Sequence, residues 1–496
     1  MLLTREAIAA VYAGGVDAVI AVIEHLQTFS VTQQEQIRAQ QEQIAALSAR
    51  VKELEDQAKT TSRTSSKPPS SDGYARPPRS LRQRSGKTVG GQPGHPGSAL
   101  SMVAEPDQVI VHRPATCAGC QGALDGVAAT GYERRQVVDL PPLRLAVSEH
   151  RAEEKTCPHC QHTTSGVFPA GVTTTVQYGA GIKALAVYLL TYHLLPYDRT
   201  SALLGDLFGH APAKGTVQTA VETCADGLVA VEDQIKDALR AADVLCNDET
   251  GVRVQGELQW VHVSSTPSLT HYAVHPKRGS DAMTEIGILP AFHGVSVHDG
   301  LTAYRQYDCA HALCNAHHLR ELTAIEEHDK QPWATHMKDL LGEIKGRVDM
   351  ARDQGETGFD DARCAAFVAR YQTIVAQGYA ANPLPPEPDT GPKKRGRPKQ
   401  SKARNLLDRL NGHQQEVLAF MTDWRVPFDN NRAERDLRMI KVQQKVSGCF
   451  RSATGPVAFC RLRGYLSTLK KQGQAVLPAL QRVFAGHPLL PNLAAG

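Results

Sequence analysis

No stretch of about 18 consecutive apolar residues, the length a membrane-spanning helix needs, occurs in this 496-residue chain. The early residues, Arg5 and Glu6 among them, lack a small-residue cleavage site behind a hydrophobic core, so no secretory signal is read. A strong charge imbalance is also missing. Lys and Arg number 55 against 51 Asp and Glu, a net +4, so any attraction for a polyanion must come from local clusters of cations. The 11 cysteines make no even disulfide framework of a short secreted chain; they read as thiols and metal ligands in a reducing compartment. Together these absences predict a cytoplasmic protein with no membrane partner.

What is present is organised in blocks, and the length suggests roughly three or four folded units. Residues 1–58 are helical in character, with Ile37, Ile44, Leu47, Val51 and Leu54 spaced by seven, three, four and three. Beta-branched residues at a and Leu at d predict a parallel two-stranded coiled coil, with Gln40 at an earlier d position weakening its start. The alternative is one amphipathic helix packed on its own chain. Residues 59–105 turn to Ser, Pro, Gly and Arg, a composition that cannot bury a core and predicts a linker. Between Thr61 and Gly97, Arg63, Lys67, Arg76, Arg79, Arg82, Arg84 and Lys87 face only Asp72, which suits either phosphate tracking or plain solvation.

In 106–165, Cys117-Ala118-Gly119-Cys120 and Cys157-Pro158-His159-Cys160 form two CxxC knuckles. Four thiolates from two such pairs fill the tetrahedral shell of one structural zinc and leave no open position, and Val137-Val138 and 143–147 are the expected ribbon strands. A redox dithiol is the alternative, disfavoured by the matched pairs. Residues 166–240 are helical, and a short helix, Gly209 and a helix opening at Lys214 predict a helix-turn-helix with Lys214, Thr216 and Gln218 toward DNA. Bare three-helix packing is the competing explanation.

From 241 to 326 the period becomes that of strands: 244–248, 258–264, 271–275, a helix at 280–289, then 294–298, 311–315 and a helix at 317–326. Three strands, a helix and a fourth strand, with Asp248 and Asp299 at the ends of the first and fourth, predict a ribonuclease-H-like mixed sheet flanked by helices. Its first and fourth strands lie side by side, which would join acids 51 positions apart. Residues 327–408 read as a helical insertion carrying Lys393-Lys394-Arg395-Gly396-Arg397-Pro398-Lys399. Arg395, Arg397 and Lys399 suit a narrow minor groove or a basic loop near phosphates. Residues 409–472 return to the catalytic domain with Asn430-Asn431-Arg432-Ala433-Glu434-Arg435, and 473–496 read as a C-terminal tail. If Asn431 is the N-cap, Glu434 falls at the third helical position, where a capping box would occupy it. Arg435, Arg438, Lys441 and Lys445 nearby favour a polyanion instead. The fold class expected is thus a multidomain α+β protein: coiled-coil helix, zinc ribbon, helix-turn-helix domain and ribonuclease-H-like α/β domain.

Asp248, Asp299 and Glu434 could hold two Mg²⁺ (or Mn²⁺) ions about 3.5–4 Å apart, a clamp for the attacking and leaving oxygens of phosphodiester transfer. Glu249 and Asp429 rank below them. At this point the heptad helix, Ser-Lys-Pro-Pro-Ser-Ser-Asp at 66–72, the glycines of 90–97, the paired knuckles, Asp248-Glu249-Thr250, Asp299-Gly300 with Tyr304, Cys314 and His317, and the Asn430–Arg435 run together resemble the transposase of the insertion-sequence-66 family of bacteria. The resemblance implies a DDE transposase that cuts at inverted-repeat ends and joins 3′-hydroxyls to target DNA, with Asp248, Asp299 and Glu434 as its triad. It also implies double-stranded DNA as partner, a homodimer or higher oligomer, and small accessory proteins of the same element. Cys314-Asn315-Ala316-His317-His318 departs from the commoner Cys-Trp-Ala-His form, and Cys314 and His317 read as metal ligands or as packing residues. The competing functions are a dimeric DNA-binding regulator without chemistry and a ribonuclease-H-like nuclease without strand transfer.

Overall fold

The computed structural model describes residues 4–58, 100–384 and 400–494. The basic linker through residue 99 and the segment with Arg395, Arg397 and Lys399 lie outside the described residues. The chain divides into two compact units, one of 1–81, 317–347 and 361–412, the other of 82–316, 348–360 and 413–496. Among the described residues no helix is long and apolar enough to cross a membrane.

The first unit begins with α1 (Arg5–Ala13), whose N-terminus is capped by the Thr4 hydroxyl accepting from the Ala7 N–H at 3.3 Å. A positive φ at Gly15 turns the chain into the 43-residue helix α2 (Val16–Ala58). The expected seam is exposed along it: Ile37, Ile44, Leu47 and Val51 are each more than half exposed. Val16, Ile23 and Leu26 stand in the same heptad frame and are exposed as well. The stripe keeps one heptad frame, interrupted by Ser30, Gln33 and Gln40.

The second unit holds the knuckle region, the helices that follow it and the central sheet. A hairpin of β1 (Glu154–Thr156) and β2 (Thr163–Ser165) brackets the second knuckle. The ribbon strands expected at 137–138 and 143–147 are absent. Those residues carry no strand pairing, and Val137, Val147 and Leu140 are largely exposed. Alternation of apolar residues needs a partner strand and a buried face to become a ladder, and neither exists there. Four helices follow: α3 (Ala180–Val187), which continues as a wider turn to Tyr192, then α4 (Tyr197–Phe208), α5 (Lys214–Asp226) and α6 (Val229–Arg240). Gly209, left-handed at φ 71°, ends α4 and turns the chain toward α5.

The central sheet has β3 (Val244–Val254), β4 (Glu257–Ser265) and β5 (Thr270–His275), then, after α7 (Ser280–Ile286), β6 (Val295–His298) and β7 (Ala310–Leu313). Their order is β5-β4-β3-β6-β7, with the first three antiparallel and β6 and β7 parallel to β3. Asp248 is not at a strand end. β3 runs six residues past it to a two-residue turn, Gln255-Gly256, where both φ are positive and the strand twist is matched.

The helical insertion is built from α8 (Asn315–Ala324), α9 (Pro332–Asp353), α10 (Asp361–Ala381) and α11 (Lys402–Gly412). Within the first unit, α10 and α11 pack through buried Tyr371, whose hydroxyl donates to the Leu410 carbonyl at 3.0 Å. After two single turns, α12 (Gln414–Val417) and α13 (Ala419–Thr422), come α14 (Asn431–Ser447), α15 (Thr454–Lys471) and α16 (Val476–Phe484). The segment read as a C-terminal tail is therefore a core helix. Val476, Ala479, Leu480 and Val483 fall on one helical face and are buried in the cluster that contains Ala184, Val221 and Leu228.

Candidate active site

Register brings the first two acids together. β3 and β6 pair in parallel with Val244 opposite Val295 and Cys246 opposite Val297, an offset of 51 residues. Asp248 and Asp299 are separated by the same 51, so they stand level just beyond the paired stretch. Each is oriented by one backbone donor: Asp248 Oδ1 accepts from the Glu249 N–H at 2.8 Å, and Asp299 Oδ1 accepts from the Leu301 N–H at 3.0 Å. No described group donates to either Oδ2, which leaves one oxygen of each aspartate for a cation.

Burial pushes the Asp248 carboxyl well above the usual range, and the charges of Glu249, Asp299 and then Glu434 push it further. Crowded carboxylates that raise one another's pKa want a cation among them. Carboxylate oxygens of Asp248, Glu249 and Asp299 all lie within 4.8 Å of one another. The donor set is all oxygen, as a hard divalent ion requires. Glu434 is not a member of this compact group. Its charge reaches Asp248 as the last-ranked influence.

Glu249, ranked low on sequence, is the third carboxylate in the tight group, but its oxygens are already committed. Tyr304 donates to Oε2 at 2.7 Å, and Arg278 donates to Oε1 through Nε at 2.9 Å, with its Nη2 ion-paired 2.7 Å from the same oxygen. Burial and the Asp299 charge raise its pKa, while Tyr304 and Arg278 oppose the rise. Behind the group, His298 is fully buried and stacks on Tyr304 at 4.6 Å. The Gly300 N–H donates to His298 Nδ1, so the ring proton sits on Nε2 and points to His311 Nδ1 at 3.2 Å. Burial holds His298 neutral, its pKa lowered to about 3.

The helix carrying Glu434 starts one residue earlier than the sequence suggested. Asn430 is the N-cap and Asn431 the first helical residue, so Glu434 is in the fourth position and its N–H donates to the Asn430 carbonyl at 3.2 Å. The Asn430 side chain makes no capping bond. Its Nδ2 donates to the Asn247 carbonyl at 2.8 Å, and its backbone N–H donates to Cys314 Sγ at 3.1 Å. The capping box is thereby excluded: the residue that would receive it is spent on tying α14 to β3 beside Asp248. Asp429 accepts from the Asn431 N–H at 3.1 Å and starts the helix in its place.

Of the cations on α14, Arg435, Arg438 and Lys445 are exposed. Lys441 departs from the expectation. It is half-buried and its ammonium donates to the Gly251 carbonyl at 2.6 Å, so it braces helix against strand. On α5, Lys214, Thr216 and Gln218 are exposed over a buried face of Val217, Ala220 and Val221. Lys214 pairs with Asp198, and Gln218 donates to Glu222 at 2.9 Å.

The two CxxC knuckles have the same local geometry. Cys117 and Cys157 each donate their N–H to the carbonyl five residues on, Gly122 and His162, at 2.9 Å. Each carbonyl accepts from the residue four on, Gln121 at 2.9 Å and Gln161 at 2.8 Å, and those glutamines hold φ of 62° and 60°. Backbone N–H groups aimed at the first thiol of each pair lower its pKa, Cys120 and Gly119 at Cys117 and Cys160 and His159 at Cys157. Such thiols are prepared to bind metal as thiolates. Among the described residues the four thiols do not converge into one ligand group within 4.8 Å; each knuckle is formed separately.

Comparison with known families gives three matches. Residues 175–458 match the family described as "Transposase IS66 family". Residues 114–161 match the zinc-finger binding domain of transposase IS66, and residues 21–101 match a family of unknown function (DUF6444). No curated protein is matched by the chain.

Proposed function

The chain belongs to the IS66 family of transposases, and we propose that it binds the terminal inverted repeats of an insertion sequence and carries out divalent-metal-dependent cleavage and strand transfer there. The observation that carries this reading is the parallel register that sets Asp248 level with Asp299, with a helix bearing Glu434 tied to the same strand through Asn430. The sheet order supports a ribonuclease-H-like catalytic domain spanning 241–326 and 409–472, interrupted by the insertion at 327–408.

Asp248 and Asp299 would hold Mg²⁺ or Mn²⁺, with Glu434 on α14 as the third carboxylate. When bound, the metal supplies charge neutralisation at the phosphoryl group and activation of the attacking hydroxyl. The protein's own part is to orient these acids through the Glu249 and Leu301 N–H groups. DNA is held by α5 through Lys214, Thr216 and Gln218, by the exposed face of α14 through Arg435, Arg438 and Lys445, and by Arg395, Arg397 and Lys399. Lys214 and Gln218 would exchange their surface partners for phosphate or base edges. Cys117, Cys120, Cys157 and Cys160 hold one structural zinc once the knuckles close on it. α2 pairs with a second copy, and small proteins of the same element assist.

The test is nicking of a labelled duplex carrying the repeats that flank the reading frame, followed by joining of pre-cut ends. Mg²⁺-dependent cutting and joined products, both lost in Asp248→Ala, are expected. Binding without cutting above the level of that variant favours a regulator, and cutting without joining favours a nuclease.

A further inference from the structure

The ion pair beside the acids is built in a way that stability alone does not require. Arg278 follows β5 in a short loop whose backbone is fixed from below: the Lys277 N–H donates to His275 Nδ1 at 3.0 Å, and the Lys277 carbonyl lies 3.3 Å from His262 Nε2. The Arg278 guanidinium lies over the Trp260 ring, 4.9 Å from its centroid, its Nε donates to Glu249 Oε1, and its Nη2 lies 2.7 Å from the same oxygen. Glu249 has a side chain with 0% exposure, and Tyr304 locks its other oxygen. Arg278 itself is 43% exposed. An Arg has five N–H donors; among the described residues only Glu249 accepts from Arg278. Through Glu249, whose carboxylate lies within 4.8 Å of those of Asp248 and Asp299, the guanidinium stands beside the group of acids.

Burying a carboxylate to pair with an Arg is weak support for stability, since desolvation cancels much of the attraction. It does fix a planar guanidinium in one orientation. We propose that Arg278 contacts the non-bridging oxygens of the scissile phosphate, and that Glu249 is its positioning residue and not a third metal ligand. This rests on the reading of Asp248 and Asp299 as a phosphodiester-cleaving site. Charge gathers on the phosphoryl oxygens as the bond to the leaving oxygen breaks, and a pre-oriented guanidinium donating two parallel N–H bonds stabilises that charge where a single ammonium cannot match the fork.

The experiment is single-turnover nicking of the element-end duplex in Mg²⁺ by full-length wild type, Arg278→Ala, Arg278→Lys and Glu249→Gln. Each is run on the ordinary duplex and on one with a neutral methylphosphonate at the scissile position, with end binding and thermal melting measured alongside. Arg278→Ala should cut the ordinary duplex about 10²- to 10³-fold more slowly, with end binding held. Arg278→Lys, which keeps the charge and its pairing with Glu249, should fold as wild type and still be slowed. On the methylphosphonate duplex wild type should lose most of its advantage over both variants, and Glu249→Gln should follow the same pattern with a smaller defect. Equal cutting by wild type and Arg278→Lys, or the same ratio on both duplexes, overturns the assignment of Arg278. A wild type that binds ends and cuts neither duplex overturns the cleavage reading itself, and the Arg278 assignment with it.

Discussion

Asp248 is the residue where structure and chemistry are in tension. Its pKa is raised by burial first and then by the acids around it. The native protein therefore holds this proton more tightly than an unfolded chain, whose Asp titrates near about 3.9. Stability of the metal-free protein should fall as pH rises from that value through the raised native one, because the charged form is penalised only when folded. Glu249 acts in the same direction. Asp248→Asn should consequently raise the melting temperature of the metal-free protein at pH 7–8 (about 2–4 °C for each kcal/mol released), and the gain should shrink toward pH 4. Mg²⁺ should stabilise wild type and leave the variant nearly unmoved. Melts in EDTA and in Mg²⁺ across this range decide it; a variant less stable than wild type at neutral pH without metal would show that the acids are not in conflict.

At the scale of elements, much of the sheet was legible and its errors have specific causes. Every strand expected between 244 and 315 is present, and the adjacency of the first and fourth follows the expected fold order; the register that sets Asp248 level with Asp299 had no signal in the sequence. The length of β3 was missed because Gly251 and Arg253 interrupt its apolar run. Gly251 is tolerated there because its neighbours crowd it: a Cβ would lie 3.0 Å from Leu258 Cδ1. The zinc-region strands were placed wrongly because the real ones, Glu-Lys-Thr and Thr-Thr-Ser, are wholly exposed and carry no apolar pattern. Arg278 had no motif to mark it, since its partner Glu249 is 29 residues away in sequence. The start of α14 was off by one because two asparagines stand in tandem and only contact with Asn247 distinguishes them. For α2, the exposed seam predicts a dimer through a parallel coil. Ile44→Asp, at a central a position that is 62% exposed in the single chain, should yield a monomer by light scattering with little loss of melting temperature in the sheet domain. An unchanged mass would assign the stripe to another partner.

The whole molecule has a net charge of only +4, so its affinity for DNA must be the sum of separate cationic patches and not the pull of a general field. That sum can be taken apart by salt. Each phosphate neutralised by a Lys or Arg contributes about 0.9 to the slope of log K against log salt on duplex DNA. The structure separates two classes of cation on one helix: Arg438 is exposed, while the Lys441 ammonium is engaged by the Gly251 carbonyl. Arg438→Ala, and likewise Arg435→Ala, should each lower the slope by about 0.9 and weaken binding to element ends and to unrelated duplex alike. Lys441→Ala should leave the slope unchanged and instead cost about 0.5–1.5 kcal/mol of folding stability, the worth of one hydrogen bond. Titrations of the full-length protein over a range of salt, paired with urea melts, read both effects. A Lys441→Ala slope that falls as far as that of Arg438→Ala would mean that DNA pulls the lysine off its strand and that α14 moves on binding.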